Sequence, residues 1–368
     1  MSVNAQSVSA GDALDVLRVA WDAQDNGSLT TSWMLHGKPG VGKTQLVQTL
    51  ANQIGADLYD IRLTTIEPQD LRGLPYYDHE TQKTLWYRPE DLPDNTDKPA
   101  VLFLDELTAA SPYLQPTVYG LLQERRVGRH TLPDSVFVVA AGNTVEDGAV
   151  AYEMGTALSD RLVHLHVTAN AKDWLERYAV DQSLHPAVTA FLRSRPDLLD
   201  TTEDSLRRGE MIACTPRSWD RVSQIMHAVT NRRIRDTMVA GTIGVAPASD
   251  FARVADELDA MVTVQDMLAT PRAQRADLYP DTLNGLVGLI YGLVAQTDAE
   301  TIPDVIDVMA DLRTLKSEQV QSLPLGELTS FGFELLIRKA LAQGLQEAFR
   351  DSAAYVDYAN ERTEAGAL

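Results

Sequence analysis

Residues 33–44 read Trp-Met-Leu-His-Gly-Lys-Pro-Gly-Val-Gly-Lys-Thr, an apolar run that opens into a glycine-rich loop. Gly37, Gly42, Lys43 and Thr44 satisfy G-x-x-x-x-G-K-[ST], with a strand pattern before the loop and a helix pattern after it. Glycine-rich backbone can curl so that successive N–H groups converge on phosphate oxygens at close range. Lys43 would carry positive charge to the β- and γ-phosphates, and the Thr44 hydroxyl can ligate Mg²⁺. The helix that begins there adds the positive end of its dipole. The loop formed by Gly37, Lys38, Pro39, Gly40, Val41, Gly42, Lys43 and Thr44, with Gln45 beyond it, therefore reads as a nucleoside triphosphate site.

Gripping a phosphate is not cleaving it. Hydrolysis needs a carboxylate to order the metal, a group that polarises water, and positive charge for the transition state. Val101-Leu102-Phe103-Leu104-Asp105-Glu106 places two carboxylates at the end of an apolar strand. Asp105 would hold the Mg²⁺ shell, and Glu106 would orient or deprotonate the attacking water. The next apolar run ends in Ala141-Gly142-Asn143-Thr144. The Asn143 amide could position the same water, or Gly142-Asn143 could be ordinary turn chemistry.

The elements that must carry these groups follow from periodicity. Short apolar runs alternate with helical patterns from residue 10 to about 168, as an α/β domain with a mostly parallel sheet requires. Strands are expected near 32–36, 57–63, 100–104, 136–141 and 162–167, and helices near 11–24, 43–54, 111–123 and 152–159. Residues 65–98 fit neither period and carry Tyr76, Tyr77, Trp86 and Tyr87, so an inserted hairpin or loop is expected. Beyond Ala169 the strand signal disappears. Helical patterns follow at 171–180, 186–194, 216–230, 231–240, 250–267, 282–296 and 302–315. A long last helix is expected from Ser330 towards Asn360, with Phe333, Ile337, Leu341, Leu345 and Phe349 recurring in steps of four.

The 368-residue chain carries 32 Lys and Arg against 52 Asp and Glu, a net charge of −20. That balance repels nucleic-acid backbones and anionic membranes at long range, so protein partners are the expectation and nucleic acid is not. The cluster Arg232, Arg233 and Arg235 reads as solvated helix surface or an intersubunit salt bridge. One cysteine, Cys214, excludes an internal disulfide and fits a reducing compartment. The amino terminus shows no secretory pattern, and the apolar run Leu283–Ala295 is too short to span a bilayer. Its Gly288-x-x-x-Gly292 reads as close packing of a buried helix. A cytoplasmic location without membrane insertion is expected.

In this order the motifs resemble those of the AAA+ ATPases, and within them the MoxR-like branch and its AAA_5-type neighbours. The resemblance rests on Gly37–Thr44, Leu102–Glu106, Gln123-Glu124-Arg125-Arg126-Val127-Gly128, Ala140–Asn143, Ala157-Leu158-Ser159-Asp160-Arg161-Leu162 and Cys214-Thr215-Pro216-Arg217-Ser218. It spans about residues 10 to 245. It implies an α/β fold: a P-loop NTPase αβα core with a parallel sheet over 1–168 (65–98 inserted) and an α-helical lid over 169–245. An additional C-terminal α-helical module over 246–368 is outside the resemblance. It also implies ATP and Mg²⁺ as cofactors, Asn143 as first sensor, and Arg161 as a finger reaching the neighbouring subunit's nucleotide. Arg217 would be the second sensor, Arg125 and Arg126 would lie at a subunit boundary, and 65–98 and 127–136 would face a central pore. Two features depart from the pattern: Lys38-Pro39 replaces the more usual Pro-Pro, and about a hundred residues continue past the lid.

The function so implied is a homo-oligomeric ring, a hexamer by expectation, that hydrolyses ATP to remodel a client protein. In this branch the partner is commonly a von Willebrand factor A domain protein. The alternatives are a nucleic-acid motor or loader and an assembly switch with slow turnover. Arg161 could instead pair with Asp160 or another carboxylate. A cation at the start of a helix, as at Arg217, is disfavoured unless it faces an anion. His164 and His166 alternate on one strand face, a geometry usable by a metal, but lack a third ligand nearby. Cys214 reads as a packing residue. The aromatics of 65–98 either grip polypeptide or stabilise their own hairpin.

Overall fold

The computed structural model describes residues 4–95, 97–144, 156–259, 263–315, 320 and 322–364. The chain forms two compact units, Met1–Asn170 and Ala171–Leu368.

The first unit runs β1 (Ser7–Val8), α1 (Ala10–Asp25), β2 (Ser32–His36), α2 (Lys43–Ile54), β3 (Asp57–Arg62), α3 (Pro68–Arg72), β4 (Pro75–Asp78), β5 (Lys83–Trp86) and β6 (Ala100–Asp105). It continues through α4 (Gln115–Glu124), β7 (Arg126–Val127), β8 (His130–Thr131), β9 (Val136–Gly142), α5 (Thr156–Ser159) and β10 (Leu162–Val167). Among the described residues, six strands pair in the order β1-β10-β2-β9-β6-β3, every neighbouring pair parallel. Every residue of β2, β6 and β9 is buried. That is why these runs read as continuous apolar stretches rather than alternating ones.

The pleat sends alternate residues to opposite layers. Met34, Leu102, Leu104, Val138 and Ala140 pack with Leu114, Val118 and Leu121 on the α4 side. Leu35, Val101, Phe103, Val139 and Ala141 pack with Leu17 of α1 and Leu46, Val47 and Leu50 of α2. The result is the expected αβα sandwich, and parallel pairing puts all strand C-termini on one edge.

The expected helix over 111–123 begins later, at Gln115. A 3₁₀ turn at Leu107–Ala109 and the turn after Ser111 occupy the approach, and Pro116 sits in the helix's first turn. Of the helix expected over 152–159, only 156–159 falls within the described residues. The 65–98 segment folds as α3 followed by the β4–β5 hairpin. There Tyr76 stacks on Tyr87 at 4.3 Å between ring centroids, and Arg72 lies over the Trp86 ring at 4.7 Å. Tyr77, in contrast, is 79% exposed. The β7–β8 hairpin joins the same structure: Arg88 Nη1 and Nη2 donate to the Thr131 carbonyl at 3.3 Å, and a His130 Nε2–Arg72 carbonyl contact measures 3.1 Å.

The second unit is helical throughout its described residues. It comprises α6 (Ala171–Asp173), a π-helical turn (Trp174–Tyr178), α7 (Ala179–Asp181), α8 (Pro186–Ser194), a 3₁₀ turn (Pro196–Leu198), α9 (Thr202–Arg208), α10 (Pro216–Ala228), α11 (Arg232–Ile243) and α12 (Val245–Asp259). After these come α13 (Val264–Ala269), a 3₁₀ stretch (Arg272–Leu278), α14 (Leu283–Ala295), α15 (Ile302–Leu312), α16 (Leu325–Gln343), α17 (Glu347–Asp351) and α18 (Ala353–Glu364). The helix expected over 250–267 is thus two, α12 and α13. Helix α14 is buried from Gly285 to Val294 and packs against α8, α12 and α16. A Cβ added at Gly288 would meet Leu258 Cδ2 at 2.0 Å, so a larger residue there would have to displace the Leu258 side chain. Helices from both sides of residue 245 therefore share one unit.

The long last helix expected from Ser330 to Asn360 is broken into α16, α17 and α18. Gly344 takes the left-handed conformation (φ 73°) and closes α16, with the Leu345 N–H on the Ala340 carbonyl at 2.8 Å. The apolar stripe splits accordingly: Phe333 and Phe349 are buried, whereas Leu341 is 61% exposed. No described helix is long and apolar enough to cross a membrane. Cys214 is fully buried with Sγ 3.6 Å from the Ile243 carbonyl, and burial pushes its thiol up to about 11. It is a packing residue without thiolate character at neutral pH.

Candidate active site

Strand β2 delivers the chain to Gly37 at φ 154°, where an added Cβ would lie 2.3 Å from the Val167 carbonyl at the end of β10. The loop then turns into α2, whose N-cap is Gly42 (φ 107°) with no side-chain cap. The first N–H groups of α2 thus have no capping side chain, the condition in which a helix N-terminus can receive an anion. Lys43 is buried, and its ammonium donates to the Gly37 carbonyl at 2.5 Å, the Lys38 carbonyl at 3.1 Å and Asn143 Oδ1 at 2.9 Å. Each of these acceptors can take one of the ammonium's protons.

Two further strand ends complete the group. Asp105, buried at the end of β6, accepts from Thr44 Oγ1 at 3.3 Å through Oδ2 and from the Glu106 N–H at 2.9 Å through Oδ1. Glu106 adopts the left-handed region (φ 60°, ψ 34°), which costs a residue bearing a Cβ about 1 kcal/mol or more. Its Oε2 accepts a hydrogen bond from Thr64 Oγ1, and its Oε1 lies 3.9 Å from Arg62 Nε. Just beyond β9, the Asn143 carbonyl accepts from Thr108 Oγ1 at 2.8 Å, which fixes the backbone behind the amide that Lys43 touches. Burial, and then the charge of Asp105, hold the nearby Asp60 carboxyl above its usual range, with Arg62 opposing.

Lys43, Thr44, Asp105, Glu106 and Asn143 are therefore brought together from β2–α2, β6 and β9, which are neighbours in the sheet. The residues fit the ligand they imply. A glycine-lined loop, an uncapped helix N-terminus and a buried ammonium suit a polyphosphate. Thr44 and Asp105 offer adjacent hard oxygens of the kind Mg²⁺ takes. Among the loop residues, Pro39 and Gln45 are exposed and Gly40 and Val41 are buried.

Arg161 stands on the same unit, exposed in the turn between α5 and β10, with its N–H on the Leu158 carbonyl at 3.0 Å. With the Gln123 amide oriented to accept, its oxygen takes Arg161 Nε at 2.8 Å and Nη2 at 3.3 Å. Arg217 is in the second unit, exposed at the second residue of α10 behind the Thr215–Ser218 capping box. Arg125 turns inward: Nη2 donates to the Pro133 and Val136 carbonyls at 2.9 and 2.6 Å, bracing the base of the β7–β8 hairpin. Burial lowers its guanidinium from its ordinary value. Arg126 pairs with Glu124 at 2.7 Å. His164 and His166 serve different partners: His164 bonds His36 and Ser159, and His166 lies 3.2 Å from Ser7 Oγ.

Sequence reasoning missed Thr64, Arg62 and Gln123. Their roles depend on β3 lying beside β6 and on α4 meeting the α5–β10 turn. The spacing along the chain carries no trace of either.

Parts of the chain are similar to known proteins. Residues 32–164 match the family model described as ATPase family associated with various cellular activities (AAA). The uncharacterized protein YeaC of Bacillus subtilis (strain 168) is 36% identical over 118 residues, 31% of this chain and 35% of that protein. ATPase family gene 2 protein homolog B of Mus musculus is 34% identical over 115 residues, 31% of this chain and 13% of that protein. The matched part of this chain thus spans about a third or less of the length of these relatives. A solved structure, the Thermotoga maritima RuvB Holliday junction branch migration motor, aligns over 83% of this chain and 76% of its own, at 13% identity and a TM-score of 0.32.

Proposed function

We propose that this chain, whose residues 32–164 form an AAA+ ATPase core, works as a ring-forming, Mg²⁺-dependent ATP hydrolase that uses turnover to remodel a partner protein. The observation that carries the reading is the convergence of Lys43, Thr44, Asp105, Glu106 and Asn143 on one edge of the parallel sheet. In this reading Lys43 leaves its loop carbonyls for the β- and γ-phosphate oxygens, which compete for the same protons with full negative charge. Thr44 and Asp105 would hold the metal shell; Mg²⁺, when bound, neutralises charge on the transferring phosphoryl group. Asn143 and Glu106 position the attacking water, and Glu106 takes its proton.

Lys43 and the metal would meet part of the transition-state charge, and the rest would come from outside the subunit, because the finger assigned to Arg161 serves the next copy in the ring. The joined β4–β5 and β7–β8 hairpins, with Tyr77 exposed, supply a surface that turnover could move against a polypeptide. A MoxR-like pairing with a von Willebrand factor A domain protein is the partner we favour. Arg217 would sense the γ-phosphate from a lid within 169–245. A RuvB of Flavobacterium psychrophilum is 30% identical over 98 residues, so a nucleic-acid client is the competing reading, opposed by the net charge of −20.

The direct test is specific activity against protein concentration. Mg²⁺-dependent ATP hydrolysis per subunit should rise steeply as the ring assembles. A flat profile across the assembly range would rule out sites shared between subunits. Stimulation by DNA that collapses with salt would favour the nucleic-acid motor.

The contact between Thr64 and Glu106 has its own consequence. It draws the carboxylate towards β3, and a hydrogen bond to a charged, partly exposed group is worth ~1 kcal/mol. Thr64→Val removes the hydroxyl at constant shape. Basal kcat without client should rise about fivefold, the equivalent of that energy. An unchanged or lower basal rate in a folded variant would mean that this bond does not restrain Glu106.

A further inference from the structure

Behind the phosphate loop lies a chain of hydrogen bonds that the reaction as described does not use. His36, the last residue of β2, is buried, and its Nε2 lies 2.8 Å from His164 Nδ1 on β10. The two rings stack with centroids 5.1 Å apart and planes 17° from parallel. His164 Nε2 lies 2.8 Å from the Ser159 carbonyl and 3.2 Å from its hydroxyl.

The chemistry of the ends sets the direction of the chain. A carbonyl oxygen only accepts, so His164 Nε2 carries the proton. In the neutral ring its Nδ1 is then the acceptor, and His36 Nε2–H donates to it. Each donor polarises the next, so the two bonds strengthen one another. Ser159 ends α5, where the terminal carbonyls need partners from outside the helix. Arg161 follows two residues later, in the turn that leads into β10. At the other end of the chain, Gly37 follows His36 directly, presses on the Val167 carbonyl of β10, and gives its own carbonyl to Lys43.

We propose that His36 and His164 are positioning residues, which fix the turn bearing Arg161 to the strand that carries the phosphate loop. The finger offered to the neighbouring subunit is then held by the same strand end that starts the subunit's own nucleotide site. The inference rests on the reading of Arg161 as a finger acting between subunits.

The test uses mixed rings. Lys43→Ala subunits, which keep an intact finger, should restore hydrolysis to Arg161→Ala subunits. Adding His164→Phe to the Lys43→Ala donor keeps a flat ring but removes both nitrogens, and should lower that restoration about tenfold. Adding His164→Gln instead supplies one donor and one acceptor, and should return restoration to within about twofold of the Lys43→Ala donor. His36→Leu in the donor, across the same bond, should reproduce the loss caused by His164→Phe. In rings of one kind, His164→Phe should lower kcat about tenfold and leave KM for ATP unchanged.

If Lys43→Ala alone restores nothing, the finger reading itself fails. If it restores activity and folded donors bearing His164→Phe or His36→Leu restore equally well, the finger reading stands and the relay is wrong. A raised KM with unchanged kcat would place the histidines in nucleotide binding and also overturn the proposal.

Discussion

Glu106→Gln should stop turnover while leaving ATP binding in place. The substitution keeps the size of the side chain and its ability to accept from Thr64, but removes the basicity needed to take a proton from water. The bond that ties residue 106 to Asp105 uses its backbone N–H, so it survives the change. The left-handed backbone at 106 is no harder for glutamine than for glutamate. Loss of a positioned general base costs about 10²–10⁴-fold in kcat, or ~3–5 kcal/mol of transition-state stabilisation. Steady-state hydrolysis and equilibrium binding of a fluorescent ATP analogue would be measured side by side. Retention of a large fraction of kcat would mean that another group activates the water. The same variant, held with ATP bound, is the natural bait for client proteins, because a ring that cannot complete turnover should not release what it has engaged.

The site was legible where chemistry and local spacing coincide. The loop from Gly37 to Thr44, and the carboxylates Asp105 and Glu106 behind an apolar run, are defined within a few residues of chain. The buried runs 32–36, 100–104 and 136–141 read correctly because both faces of those strands are covered, so no alternation dilutes them. Two-residue β1 has no periodicity to detect and owes its existence to its pairing with β10. The last helix failed for a different reason. The stripe from Phe333 to Phe349 keeps a helical step on paper, yet Gly344 favours a left-handed cap there, and one such residue outweighs the regularity on either side. What could not be read at all was adjacency: Thr64 beside Glu106, Gln123 beside Arg161, and His36 stacked on His164 are separated by 42, 38 and 128 positions of chain. Only the strand order brings such pairs together. The alternation of His164 and His166 did hint at a shared face, but not at the partner each would take.

Arg161→Ala should abolish hydrolysis in rings of one kind and be rescued by mixing. A guanidinium supplied across a subunit boundary is worth a factor of about 10³–10⁵ in related phosphoryl transfers. In this subunit Arg161 is exposed in the turn between α5 and β10, where the Gln123 amide oxygen meets its guanidinium. Alanine replaces an exposed side chain, so assembly and ATP binding should persist and the loss should fall on kcat. Lys43→Ala subunits should fail for the opposite reason: they would lack the ammonium proposed to grip phosphate but present an intact Arg161. When the two inactive variants are mixed, about a quarter of the boundaries in a random ring join a competent loop to a competent finger. Activity should therefore reappear at roughly that fraction of the native rate, orders of magnitude above either variant alone. If the mixture stays as inactive as its parts while sedimentation shows mixed rings, Arg161 does not act across the boundary. If Arg161→Ala alone keeps near-native turnover, the transition-state charge is met by a different group, and the exposed Arg217 of α10 becomes the residue to substitute next.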